Sequence, residues 1–133
     1  MFGDRAAAFD AYLVPDCPTY VPRWAPPIED ALQAVRAAGG VPVIAHPWGR
    51  KSHLTLERFE QLKSCGLLGI EVDHQEHDPS ARHELRAIAS ALDLIATGSS
   101  DHHGTAKRDH DLGANTTASD QLTRLRQALR IGR

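Results

Sequence analysis

The sequence has 133 residues, enough for one modest domain and too few for two. Hydrophobic residues make up 41% and charged residues 24%, which excludes a disordered chain, and an aromatic share of 5% leaves the core to Leu, Ile, Val and Ala. The formal net charge of −2 gives no general attraction to nucleic acid or anionic membrane, and no apolar run approaches the roughly 20 residues that span a bilayer.

The first stretch, MFGDRAAAFDAYLVPD, is acidic and lacks the basic and apolar regions of a secretory signal. Residues 1–26 read as a short helix over Arg5 to Leu13 followed by a Pro-rich stretch, Val14 to Pro27, the end of a unit preceding the rest. Ile28 to Ala38 has a helical period in Ile28, Ala31, Leu32 and Val35, with Pro26-Pro27 before it and Gly39-Gly40 after it. Val41 to Ala45 (VPVIA) is a short apolar run between turns, as in a buried strand. Thr55 to Ser64 is helical, with Leu56, Phe59 and Leu62 on one face and Thr55 or Ser52 as cap. Leu67 to Val72 (LLGIEV) predicts a second strand. Pro79 to Leu92 predicts a helix with Leu85, Ile88 and Ala89 inward, and Leu94 to Thr97 a third strand. A polar loop follows to about Thr117. Ser119 to Ile131 closes the chain as a helix with Leu122, Leu125 and Leu129 inward.

Strands alternating with helices predict an α/β fold of parallel strands covered by helices, as in barrels or doubly wound sheets. Three such strands leave both sheet edges open, so the chain reads as part of a larger α/β domain. Cys17 and Cys65 form no CxxC pattern and suggest reduced thiols in a cytoplasmic protein.

Parallel α/β folds gather ligands at the C-terminal ends of their strands. After VPVIA comes His46-Pro47-Trp48-Gly49-Arg50. After LLGIEV comes Asp73-His74-Gln75-Glu76-His77-Asp78, and after LIAT comes Gly98-Ser99-Ser100-Asp101-His102-His103-Gly104. All three loops carry histidine, in a chain with eight. Imidazole and carboxylate donors together suit Zn²⁺, Mn²⁺ or Fe²⁺. Asp101 and His103, at alternate positions of an extended segment, project to one side, with His102 opposite. Arg50 and Lys107 are candidates for phosphate by charge, as are His74 and His77 for substrate contact. His53, His83 and His110 read as surface residues, Trp24 and Trp48 as packing residues, and Glu71 as a structural partner within its strand.

VIAHPWGR resembles the AHP motif of the PHP (polymerase and histidinol phosphatase) family of metal-dependent phosphoesterases. SSDHHG resembles that family's GSDxHG, GLLGIEV its GIEV strand, and PTYVPR with AGGVPVIAHP the segment leading into the AHP strand. The order of these motifs matches over nearly the whole chain and is most similar to the nucleoside 3′,5′-bisphosphate phosphatase and exoribonuclease branch. The resemblance implies the C-terminal part of a distorted (β/α)₇ barrel over residues 27–133, with residues 1–26 the end of an inserted helical lid. It implies His46, Asp101 and His103 as metal ligands and Arg50 as a phosphate contact. It also implies two or three divalent ions (Mn, Zn, Fe or Mg) and a phosphorylated small molecule or short nucleic acid as substrate. The family's opening HxH…D motif has no counterpart here, so the expected active protein includes an N-terminal half beyond these residues. Two alternatives stand beside this. One is a catalytically silent fragment that binds an ion weakly. The other is a polymerase-associated PHP module or a histidinol-phosphatase relative.

Overall fold

The computed structural model describes residues 11–15, 17, 19–22, 24–49, 52–104 and 110–131. Its elements, in order, are α1 (Ile28–Ala37), β1 (Val43–Ile44), α2 (Leu56–Ser64), β2 (Gly69–Asp73), α3 (Pro79–Ala91), β3 (Ile95–Gly98) and α4 (Ser119–Ile131). The expected helix at Arg5 to Leu13 lies almost wholly outside the described residues. No helix among the described residues is long and apolar enough to cross a membrane.

The three strands form one parallel sheet in the order β1-β2-β3, with Val43 opposite Gly69 and Gly69 opposite Ile95. Parallel neighbours joined through helices were the expected arrangement, and the sheet is open rather than closed into a barrel. β1 is shorter than the apolar run VPVIA. Pro42 has no N–H to donate, and its carbonyl instead accepts from the amides of Leu68 and Gly69. Gly69 is required where it stands: a Cβ there would lie 2.8 Å from the Ile95 carbonyl oxygen and 3.1 Å from Val43.

Alternation along β2 sends Ile70 and Val72 to the helical side. There they meet Leu32 of α1, Phe59 and Leu62 of α2, Leu67, Leu85 and Ala89 of α3, and Leu94. α2 begins at Thr55, whose hydroxyl accepts from the Arg58 amide, and α3 at Asp78, whose carboxylate accepts from the Ala81 amide, with Pro79 in the first turn. Arg58 pairs with Glu29 at 2.7 Å and ties α2 to α1. At the far end of α3, Lys63 of α2 donates to the Leu92 carbonyl. Arg124 of α4 reaches the same turn through the Asp93 carboxylate and carbonyl.

Four apolar expectations are corrected. Leu56 opens its helix from the solvent side, Val35 is 40% exposed, and Leu122 and Leu129 of α4 stand half-exposed because no described element packs on that side. Trp24 is 84% exposed, so among the described residues it is no packing residue. Trp48 does pack against the core, and its indole N–H donates to the Leu54 carbonyl.

The difference sets a test of the packing. Phe59→Ala should cost about 3–5 kcal/mol, whereas Leu129→Ala should cost under about 1 kcal/mol. Chemical denaturation of the two variants beside the parent chain measures both.

Candidate metal and phosphate site

All three strands end in loops on the same side of the sheet, as parallel pairing requires. The loops are joined at their base by one side chain. Glu71 faces away from the helical core and is only 6% exposed. Its Oε2 accepts from the His46 amide at 2.7 Å, and its Oε1 accepts from the Ser99 hydroxyl at 2.6 Å. The carboxylate therefore binds the end of β1 to the end of β3 across the middle strand. Both of its oxygens are satisfied, as burial of a charge demands. The structural role expected of Glu71 is present, with partners on both neighbouring strand ends instead of one.

The two arms it joins leave ordinary backbone geometry. His46 has φ of +30° and Asp101 φ of +49°, a left-handed conformation that costs non-glycine residues energy and persists where surroundings enforce it. Gly49 sits beneath the first arm, where a Cβ would lie 2.8 Å from a Glu76 carboxylate oxygen and 3.3 Å from His46 Nδ1. Gly98 opens the second arm, where a Cβ would lie 2.7 Å from the Thr116 carbonyl oxygen and 2.9 Å from the Asp73 side chain. The loop after β3 folds back on itself. Thr117 bonds both the amide and the carbonyl of Gly98. The Ser100 hydroxyl accepts from the Gly113 amide, and the Asn115 side chain donates to Gln75 in the β2 loop.

These constraints draw side chains from the three loops into one neighbourhood. The rings of His46 and His74 lie 5.1 Å apart, and His74 Nε2 is 3.7 Å from Asp101 Oδ2. Asp101 Oδ1 is in turn 3.5 Å from His103 Nδ1. The expected trio of His46, Asp101 and His103 is thus linked through His74, which is 1% exposed. Asp101 and His103 meet through a turn rather than through strand alternation, since Asp101 is left-handed. His103 Nδ1–H donates to the Asp101 carbonyl at 2.6 Å, leaving the Nε2 lone pair outward. His102 turns away and donates to the His110 carbonyl.

His77 is buried, and its Nδ1–H donates to the Val72 carbonyl at 2.8 Å. It borders an open groove of about 560 Å³ together with Asp73, Pro79, Arg82, His83 and Arg86. The arginines there are already engaged: Arg82 donates to the carbonyls of His74 and His77, and Arg86 binds both oxygens of Asp73. His110 was expected at the surface and is instead half-buried, its ring 6.3 Å from that of His74, and nothing in its local pattern signals this. His53 and His83 are exposed as expected, His53 stacking on Trp48 at 4.5 Å. Arg50 and Lys107 lie outside the described residues.

Donor chemistry here fits a divalent ion in kind and falls short in number. Imidazole and carboxylate groups adjoin, yet among the described residues no three His, Cys, Asp or Glu side chains are placed to hold one ion between them. Burial pushes the His74 imidazole below its ordinary value of 6.5, with the neighbouring His46 and His77 adding to the effect and Glu71 and Asp101 opposing it.

No protein-family model matches the chain. It is 34% identical over 112 residues to the 3′,5′-nucleoside bisphosphate phosphatase of Chromobacterium violaceum, covering 83% of this chain and 39% of that protein. It is also 34% identical over 89 residues to the phosphoribosyl 1,2-cyclic phosphate 1,2-diphosphodiesterase of Eggerthella lenta, covering 67% of this chain and 33% of that protein. The chain therefore spans between a third and two fifths of the length of these curated relatives. Among solved structures, a metal-dependent phosphoesterase of Bifidobacterium adolescentis superposes with a TM-score of 0.84 at 32% identity, over 96% of this chain and 45% of the other. An amidohydrolase of Chromobacterium violaceum, solved with sulfate and no metal, superposes with a TM-score of 0.65 at 26% identity, over 92% and 44%.

Two tests follow from the geometry. Glu71→Ala should lose on the order of 2–3 kcal/mol and release the His46 amide to fast hydrogen exchange, while Glu71→Gln, which keeps an acceptor for that amide, should lose less than half as much. The second concerns pH. A histidine whose folded value is depressed binds its proton less readily than the unfolded chain does, so its contribution to stability is fully present above about 6.5 and is lost as pH falls toward the folded value. Denaturation midpoints should therefore drop below pH 6.5, and His74→Gln should flatten that part of the profile.

Proposed function

We propose that this chain, a homologue of PHP-like metal-dependent phosphoesterases over part of their length, forms one side of the active site of a phosphoric ester hydrolase. The observation that carries this reading is the convergence of His46, His74 and Asp101 from three different strand ends, held by a carboxylate that spans the sheet. His46, Asp101 and His103 are the proposed metal ligands. A divalent ion bound there supplies Lewis acidity toward a phosphoryl oxygen and lowers the pKa of bound water.

What the chain's own residues do is bind and orient. His103 offers an Nε2 lone pair because its Nδ1–H is committed to the Asp101 carbonyl. His46 offers its ring from an exposed loop whose amide is fixed by Glu71. Arg50 and Lys107 are proposed phosphate contacts on charge alone, and the substrate contact expected of His74 is not assigned, because its Nε2 faces the Asp101 carboxylate at 3.7 Å. His77, whose free ring nitrogen carries a lone pair, is not suited to that role. The substrate class proposed is a nucleotide phosphate ester, following the bisphosphate phosphatase and the cyclic phosphate diphosphodiesterase to which the chain is similar.

In this reading residues 27–133 are part of a (β/α)₇ barrel and residues 1–26 border it as the end of a lid. Further donors would come from the part of that barrel beyond the aligned stretch. The free thiols of Cys17 and Cys65 accord with a reducing compartment.

Phosphate release from a nucleoside 3′,5′-bisphosphate with Mn²⁺ tests the reading, measured for this chain alone and for a longer chain that restores the remaining barrel. Release is expected only from the longer chain and should vanish there on Asp101→Ala. Full activity in that variant, or equal rates from both chains, would overturn the proposal.

A further inference from the structure

Two histidines three residues apart are held in opposite tautomers by the backbone around them. A backbone amide can only donate, so the 3.1 Å contact from the Glu76 N–H makes His74 Nδ1 an acceptor and leaves the ring proton of neutral His74 on Nε2. A carbonyl can only accept, so the bonds to Val72 and Asp101 make His77 Nδ1 and His103 Nδ1 donors, with lone pairs left on their Nε2 atoms.

A metal ion takes a lone pair, and His74 has none on the side that faces Asp101. What it presents there is an N–H, 3.7 Å from Asp101 Oδ2, on a side chain 1% exposed. Among the described residues that Nε2 has no hydrogen-bond partner. A buried donor without an acceptor is costly, so closing the last few tenths of an ångström to the nearest carboxylate is favourable.

We infer that His74 is a positioning residue for Asp101, donating Nε2–H to the carboxylate and setting which Asp101 oxygen faces a ligand, and that it is not itself a metal ligand. The tautomer and the bond to Asp101 stand on geometry. Their effect on an ion rests on the proposed phosphoesterase site.

Long-range ¹H–¹⁵N correlation on the ¹⁵N-histidine-labelled chain at pH 8 reads the tautomers directly. His74 should show the Nε2–H pattern, and His77 and His103 the Nδ1–H pattern; an Nδ1–H pattern at His74 overturns the inference. Asp101→Ala should shift the His74 Nε2–H resonance and speed its exchange with water, and an unmoved resonance overturns it as well.

The consequence for an ion is read by Mn²⁺ titration followed by electron paramagnetic resonance of the free ion. His74→Phe should weaken Mn²⁺ binding roughly tenfold, and His74→Gln, whose amide N–H₂ lies near the lost Nε2, should recover most of it. Equal losses in the two variants mark His74 as a ligand and overturn the inference, as does unchanged affinity in His74→Phe. A parent chain and a longer chain that both leave Mn²⁺ unbound remove the phosphoesterase reading, while the tautomer and Asp101→Ala measurements still decide the role of His74.

Discussion

The gathering of His46, His74 and Asp101 depends on a buried carboxylate that bonds to the ends of both strands beside its own. Glu71 belongs to the central strand, yet its hydrogen bonds go to His46, just past β1, and to Ser99, the first residue after β3. Parallel strands end side by side whatever their sequence. Their loops then diverge unless something holds them, and backbone ladder bonds stop at the strand ends. A charged acceptor at the base of the loops continues the connection beyond the ladder. Its hydrogen bonds are stronger than neutral ones and are shielded from water by the burial of the side chain.

That constraint explains why both loops tolerate unusual backbone. His46, whose amide bonds Glu71, and Asp101, which follows Ser99 and Ser100, each adopt positive φ, and each turns a metal-ligating group toward His74. Strain of this sort survives only when fixed at both sides. On the β3 side the second restraint is the Thr117 pair of bonds to Gly98 and the close approach of the Thr116 carbonyl. On the β1 side it is the tight turn that puts Gly49 against Glu76 and bonds its amide to the His46 carbonyl. The likeness to phosphoesterases of known structure covers this whole assembly, since the superposition takes in 96% of the chain.

Much of the fold was legible in the sequence because two periodicities and their punctuation agree. Phe59, Leu62, Leu85 and Ala89 follow a helical period and are buried, and Thr55 and Pro79 mark helix starts by their chemistry, whereas the Asp78 cap came only with the structure. Edges were less legible. Leu56 and Val35 fit the period but lie at the margin of the buried stripe, and Leu122 and Leu129 face a side that no described residue covers. Strand ends named the pocket, since every loop that enters it follows an apolar run. Two features could not be read from the chain alone. Tautomers are set by which backbone group happens to face each ring, and the spacing of His74 and His77 carries no such information. The approach of His110 to His74 joins loops far apart in the chain, and no local pattern announces it.

One further property follows from the turn at the opposite end of the sheet, where Lys63 and Arg124 reach the residues that close α3 from either flank. Three helices meet at that turn. The last carbonyls of a helix have no partner within it, and here cations from both flanking helices donate to the turn that closes α3, which holds the end most prone to fray.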